Sequence, residues 1–404
     1  MTAGAHAPAT ELAWRRAALA LLPGGASTGS KRPEALFGPD GDGPTHFVRA
    51  SGCSVETVGG ARLLDCTMAL GAVALGYADP GVTDAVIAAA REGPVSGLSS
   101  VHEVALAERL VDVIPCAEQV RFLKTGAEAV AAAVRLARVA TGREHVLCAG
   151  YFGWLDWSAD GAGVPAGTRA TTHRVPFDDV EALAAAVDAL AGRGLAAIVV
   201  EPVVEQLASP RWLAAIRAHC DRLGAVFVLD EVKTGFRLAT GGAHARLGVR
   251  PDLAVFGKAM ANGYPLAAVA GSAAVMGAAR RTWISSTLAS ESVALAAAAA
   301  VLDRHAAIDV CGALAAQGAA LRAAVEAALA HGGVTDLVTA GEPAMWGLRG
   351  APARLDALVQ RAVEHGVLLK RGFYHFASLA HDADCIAAIG ARLADAARRL
   401  GAPA

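Results

Sequence analysis

The chain has 404 residues, 54% hydrophobic and 18% charged, with a formal net charge of -2. That length and apolar content support a large buried core shared by about two structural units, and the near-neutral charge leaves no basic stripe for nucleic acid. Seven cysteines, Cys53, Cys66, Cys116, Cys148, Cys220, Cys311 and Cys385, lie far apart without a C-x-x-C pair, which reads as reduced thiols in a cytoplasmic protein rather than a disulfide frame or a metal site.

Residues 1–16 carry no basic region followed by an apolar core, so a signal peptide is not expected. Helical spacing over residues 11–22 stops at Pro23-Gly24-Gly25. The loop from Gly24 to Lys31 superficially resembles a phosphate-binding P-loop, but Ser30 separates the second glycine from the lysine and a helix precedes it, so that reading is rejected. Residues 47–66 alternate around Gly59-Gly60 and predict a hairpin.

From there helices and strands alternate. Helices are expected at residues 81–91, 101–113, 127–140, 180–191 and 212–223, and strands at 120–123, 146–149, 196–200, 226–229 and 253–256. Strands separated by helices predict a mostly parallel, doubly wound α/β sheet. The uncharged run at 259–279 is broken by Asn262, Gly263 and Pro265 and is not expected to span a membrane. Beyond residue 292 the texture changes to alanine-rich helices at 293–304 and 311–331, short strands at 344–348 and 367–369, and helices at 352–365 and 384–400, which predicts a smaller α+β domain. The expected organisation is an N-terminal segment, 1–55, serving the small domain and the site entrance; a large domain, 56–292; and a C-terminal small domain, 293–404.

In an open parallel sheet, ligands bind beyond the carboxyl ends of the strands. The residues that follow each expected strand are therefore the informative ones. Lys124-Thr125-Gly126-Ala127 opens a helix after the 120–123 strand, an arrangement suited to an anion because free N–H groups and the helix dipole face it. Tyr151-Phe152-Gly153-Trp154 follows 146–149 and offers a flat ring. Glu201, Asp230 and Lys258 follow the next three strands. A lysine buried at such an edge loses proton affinity by desolvation and becomes a usable nucleophile or base. Together, an anion cradle, an aromatic plate, carboxylates and a lysine meet the requirements of pyridoxal 5'-phosphate.

On Leu22-Pro23-Gly24-Gly25, Thr125-Gly126-Ala127-Glu128-Ala129, Arg135-Leu136-Ala137-Arg138, Asp230-Glu231-Val232-Lys233-Thr234-Gly235-Phe236-Arg237, Gly257-Lys258 and Ala380-His381-Asp382, the chain resembles the class III, fold-type I pyridoxal-phosphate aminotransferases, in particular the glutamate-1-semialdehyde aminomutase-like group. The resemblance implies that Lys258 forms the Schiff base and that Asp230 partners the pyridine nitrogen. It places Val232 and Tyr151 on opposite ring faces, Thr125, Gly126 and Ala127 on the phosphate, Glu201 near the cofactor, and Thr287 on the phosphate of a partner subunit in a homodimer. Phe152 stands where the family usually has histidine, and Ala127 where a hydroxyl is common. Leu288-Ala289-Ser290-Glu291-Ser292 replaces the run typical of aminomutases. Thr28 and Lys31 or Arg32 fall where aminomutases grip a substrate carboxylate, and Arg371 is a further candidate.

The activity implied is that of a cytoplasmic biosynthetic aminotransferase, moving an amino group from a donor to an oxo acid, aldehyde or ketone through a Lys258 aldimine and pyridoxamine phosphate. An intramolecular aminomutase or a racemase uses the same residues, and a non-catalytic cofactor-binding protein is the alternative of a different class. No metal, membrane or nucleic-acid partner is expected.

Overall fold

The computed structural model describes residues 10–39, 41–190 and 192–401. The sequence reading of a missing signal peptide rests in part on residues 1–9, and the expected end of one helix on Ala191; both lie outside the described residues. Two compact units form, one from residues 80–312 and one from residues 1–79 with 313–404.

The 80–312 unit is organised by a seven-stranded sheet in the order Gln119–Leu123, Ala267–Gly271, Leu253–Phe256, Val226–Asp230, Leu195–Val200, His145–Ala149, Thr172–Arg174. Only Ala267–Gly271 runs antiparallel to its neighbours; the pairs from Leu253–Phe256 through Thr172–Arg174 are parallel. The fold is therefore the expected mostly parallel α/β sheet. All six residues of Leu195–Val200 and all five of Val226–Asp230 are buried, as strands covered on both faces must be.

Period-two alternation sends their side chains to two cores. Ala197, Val199, Val226 and Val228 join Val130, Val134 and Ala137 of the Gly126–Thr141 helix. Ile198, Val200, Phe227 and Leu229 join Leu183 and Val187 of Val180–Leu190 and Trp212 and Ile216 of Pro210–Leu223.

Two strands of this sheet are not among those expected from the sequence. Thr172–Arg174 is three polar residues at an edge. Ala267–Gly271 lies inside the uncharged run and is built from small residues that carry little strand preference. Gly271 is required there, because a Cβ would sit 2.3 Å from the carbonyl oxygen of Asp252.

In the other unit, Phe47–Ser51, Ser54–Thr57 and Arg62–Asp65 form an antiparallel meander, joined in parallel by Val367–Leu368. A second sheet combines Val338–Glu342, Met345–Arg349 and Phe373–Phe376. This pairing across the chain is why the meander groups with the C-terminal residues rather than with the large domain expected from residue 56. The helix Ser292–Ala307 groups with residues 80–312, where it packs on Pro80–Glu92, instead of opening the small domain at residue 293. Among the described residues one helix, Val310–His331, is long and apolar enough to cross a membrane. Its Leu321, Val325, Ala328 and Leu329 lie in a core with Trp346, Leu358 and Leu393.

Ile198 is fully buried in the sheet, whereas Val338 is 54% exposed. Truncating Ile198 to alanine is expected to cost about 2–5 kcal/mol of stability, against under about 0.5 kcal/mol for Val338→Ala. Denaturant titration of the two variants measures the difference.

Candidate active site

The carboxyl edge of this sheet gathers the chemistry. Asp230 ends its strand level with Val255 of the next strand, and Lys258 lies three residues beyond that position. The Asp230 side chain is buried, with Oδ1 accepting the N–H of Val232 at 2.9 Å. Burial pushes its carboxyl up to about 7, and the nearby Glu201 adds to the rise, while the Val232 N–H, Lys258 and Lys233 pull it down.

Lys258 follows an extended Gly257 and adopts a left-handed backbone with φ of 47°, a conformation uncommon for a residue with a Cβ. Strain of this kind concentrates at functional sites. Desolvation lowers its ammonium to about 8, with the Lys233 cation next in effect and Asp230 and Glu201 opposing. An amine so poised is still mostly protonated at neutral pH but gives up its proton far more readily than an ordinary lysine, as a nucleophile must.

The turn after Gln119–Leu123 is held by a reciprocal capping box. Thr125 Oγ1 accepts from the N–H of Glu128 at 3.2 Å, and Glu128 Oε2 accepts the N–H groups of Thr125 and Lys124. The N–H groups of Gly126 and Ala127, in the first helical turn, have no intrahelical acceptor, and the Thr125 hydroxyl proton is still available to donate. Those groups, with the positive helix end, suit a phosphate.

Gly126 is required by its neighbour: a Cβ there would lie 2.8 Å from Cγ1 of Val232. Ala127 is confined in the same way, since a Cβ on Gly153 would come within 2.4 Å of the Ala127 Cβ. The turn bearing Tyr151 thus closes over the helix start, leaving little space for a larger side chain at 127.

Tyr151 is 75% exposed, and its N–H donates to Glu201 Oε2 at 2.8 Å. Phe152 is not brought to the site; it is 2% exposed and packs on Trp157 within the core. Glu201 is buried and its other oxygen, Oε1, pairs with Lys233 Nζ at 2.7 Å. Lys233, unremarked in the sequence except as part of a motif, is the functional candidate that sequence reasoning passed over. The signal available was a lysine three residues after a strand-end aspartate in an otherwise buried segment.

The neighbouring Glu231 is fully buried and accepts from the N–H groups of Ala243 and His244, from the His244 ring and from the Thr234 hydroxyl, which fixes the whole 231–244 turn. Thr287 is exposed in the segment before Ser292–Ala307, whose N-terminus is capped by Glu291; Glu291 also pairs with Lys124 at 2.8 Å.

The four candidate substrate residues belong to the other unit. Thr28, Lys31 and Arg32 are exposed, and Lys31 borders a cavity of about 470 Å³ with Asp65, Tyr77 and Lys370. Arg371 is already engaged by Asp356 and by the carbonyl oxygen of Glu34. That ion pair accounts for its position without a substrate. Among the described residues no group of three or more His, Cys, Asp or Glu side chains is arranged to hold a metal.

The constellation fits pyridoxal 5'-phosphate: the Thr125 to Ala127 turn for the phosphate, Val232 and Tyr151 for the ring faces, Asp230 for the ring nitrogen and Lys258 for the aldehyde carbon. Because the Lys258 ammonium must lose its proton before it bonds to the aldehyde, recombination of cofactor-free protein with pyridoxal 5'-phosphate is expected to accelerate with pH and level off above about 8. Stopped-flow absorbance across pH 6–10 follows it; the Lys258→Ala variant develops no covalent visible band. Gly126→Ala is expected to weaken cofactor affinity by about tenfold or more, since about 1.4 kcal/mol of crowding at the cradle suffices.

Comparison with known proteins places the chain in a family. The chain is 36% identical over 281 residues to a glutamate-1-semialdehyde 2,1-aminomutase of Chloroflexus aurantiacus, covering 64% of this chain and 62% of that protein. It is 35% identical over 376 residues to a 2'-deamino-2'-hydroxyneamine transaminase of Streptomyces kanamyceticus, covering 89% and 92% of the two chains. The solved FumI protein of Sphingopyxis sp. MTA144, in a pyridoxal-phosphate form, superimposes with a TM-score of 0.91 at 30% identity over 96% of each chain. The family model of the class-III aminotransferases matches residues 38–153 and 164–380. Matched over most of its length, this chain belongs to the class-III aminotransferase family.

Proposed function

We propose that the protein is a pyridoxal-phosphate-dependent aminotransferase that moves an amino group from a donor to a separate carbonyl acceptor. The observation carrying this reading is the pair of Lys258 and Asp230 at adjacent strand ends, with the ammonium lowered to about 8 and the carboxylate held beside it. When bound, the cofactor supplies an electron sink for the bonds at the substrate carbon.

The protein's own groups supply the rest. Lys258 Nζ, with its lowered proton affinity, would be the base that takes the proton from the substrate carbon. Asp230 would supply the carboxylate that keeps a ring nitrogen protonated, a preorganised charge. The Gly126 and Ala127 N–H groups would hold the phosphate, and Tyr151 and Val232 would flank the ring.

Transfer between two molecules is favoured over an intramolecular aminomutase by the segment before Ser292–Ala307. There Glu291 is committed to the helix cap and to Lys124, in place of the run expected for aminomutases. A Streptomyces kanamyceticus relative named a transaminase and a Sorangium cellulosum relative named an aminomutase both align with most of the chain, so the choice rests on this segment. For a carboxylate on the substrate, Arg32 and Lys31 are the candidates ahead of Arg371, whose guanidinium is occupied.

A homodimer is proposed on the exposed apolar side chains Val95, Leu98, Val101, Val104, Trp283 and Leu288, three of them more than 80% exposed. Their segments border one cavity of about 510 Å³ through Ser99, Glu103, Trp283 and Ala289. Large exposed apolar side chains in segments that share a cavity suit an interaction surface, and Thr287, beside Leu288, is the residue that would serve a partner's phosphate. Seven free thiols suit a reducing cytoplasm, and a biosynthetic role follows the relatives.

Incubation with an isotopically labelled amino donor and an oxo acid or aldehyde is expected to place the label in the product amine. Retention of all nitrogen within a single substrate molecule establishes the aminomutase instead. Leu98→Asp with Val101→Asp is expected to convert a dimer to a monomer in light scattering and to weaken cofactor retention.

A further inference from the structure

The Lys233–Glu201 pair has an arrangement that nothing in the described reaction requires. Lys233 Nζ and Glu201 Oε1 are 2.7 Å apart, with side chains only 10% and 7% exposed. Withdrawing two charges this far from water is costly, and a buried pair is on average no more stabilising than apolar groups of the same volume. Stability therefore does not account for it.

Its position does. Glu201 directly follows one strand, Asp230 ends the adjacent strand, and Lys233 lies in the turn beyond Asp230. The second Glu201 oxygen, Oε2, holds the N–H of Tyr151 at 2.8 Å. Gly150 lets the chain pass there, since a Cβ on it would lie 2.8 Å from that same oxygen. One carboxylate thus ties the ring-bearing turn to a cation.

We propose that Lys233 is a positioning residue of this site: through Glu201 it fixes the Tyr151 turn, and its ammonium, balanced by the Glu201 carboxylate, sets the proton affinity of the Lys258 nitrogen. The inference rests on the reading of Lys258 as the cofactor lysine. The charged groups facing Lys258 are Lys233, Asp230, Glu201 and Arg237; Lys233 and Arg237 disfavour its proton, while Asp230 and Glu201 favour it. Glu201 and Lys233 also act in opposite directions on Asp230. Removing one member of the pair therefore leaves an uncompensated buried charge close to the reacting nitrogen, and removing both restores the balance.

The test is a spectrophotometric pH titration of the visible band that the cofactor shows when joined to Lys258 in the holoenzyme. Lys233→Met is expected to raise the midpoint by roughly one pH unit, the size of shift a neighbouring charge produces. Glu201→Gln keeps an oxygen for the Tyr151 N–H and is expected to lower the midpoint. The double variant K233M/E201Q is expected to return close to the parent value, and Lys233→Arg to leave it there. The double variant also keeps the test decisive if either single variant fails to fold, because it strands no charge: a shift in it as large as a full unit overturns the inference. So do single variants with unchanged midpoints, or ones that shift in the same direction. Absence of any Lys258-dependent band in the parent protein, established with Lys258→Ala, overturns the cofactor reading itself and is distinguishable from either.

Discussion

Desolvation at the carboxyl edge of one sheet is the constraint on which this site depends. Both faces of the Leu195–Val200 and Val226–Asp230 strands are covered by apolar cores, so whatever follows them emerges into a place poor in water. A carboxyl there rises toward neutrality and an amine falls toward it. Asp230 and Lys258 do both, meeting at about 7 and about 8. Burial thus supplies reactivity that neither side chain has in water, and each holds part of the other's charge.

The supporting elements are arranged around that edge by close contact. Gly126, Gly153 and Gly150 are places where the backbone of one segment lies against Val232, Ala127 and Glu201 respectively. The phosphate cradle, the tyrosine turn and the Asp230 segment are therefore one packed assembly rather than three loops. The capping box of Thr125 and Glu128 and the network around Glu231 make two of these segments rigid, as a site that positions a cofactor needs. Buried charges are accommodated in the same way: Glu201 by Lys233, Glu291 by Lys124 and the Ser292–Ala307 helix start.

Much of this was legible in the chain itself. Alternating helical and short apolar segments specify a parallel sheet, because strands buried on both sides read as continuous apolar runs. The sheet in turn specifies which residues share an edge, so Thr125, Glu201, Asp230 and Lys258 could be grouped before any coordinates. Ala267–Gly271 and Thr172–Arg174 escaped because each has a single β-branched residue among alanine, glycine or charged neighbours. Phe152 was grouped with the site by adjacency to Tyr151, yet successive residues of a turn point apart, and an apolar ring there goes to the core.

The sequence alone determined the fold class and the family and singled out the candidate lysine and aspartate, because period, spacing and local turn chemistry are properties of neighbouring residues. Only the tertiary structure decided which charges neutralise which. It joined Lys233 to Glu201 and Glu201 to the Tyr151 turn, occupied Arg371 with Asp356, and drew residues 47–65 to the strand at 367 and 368. Such pairings link positions far apart in the chain, and a charge leaves no trace in sequence of the partner that packing will bring to it.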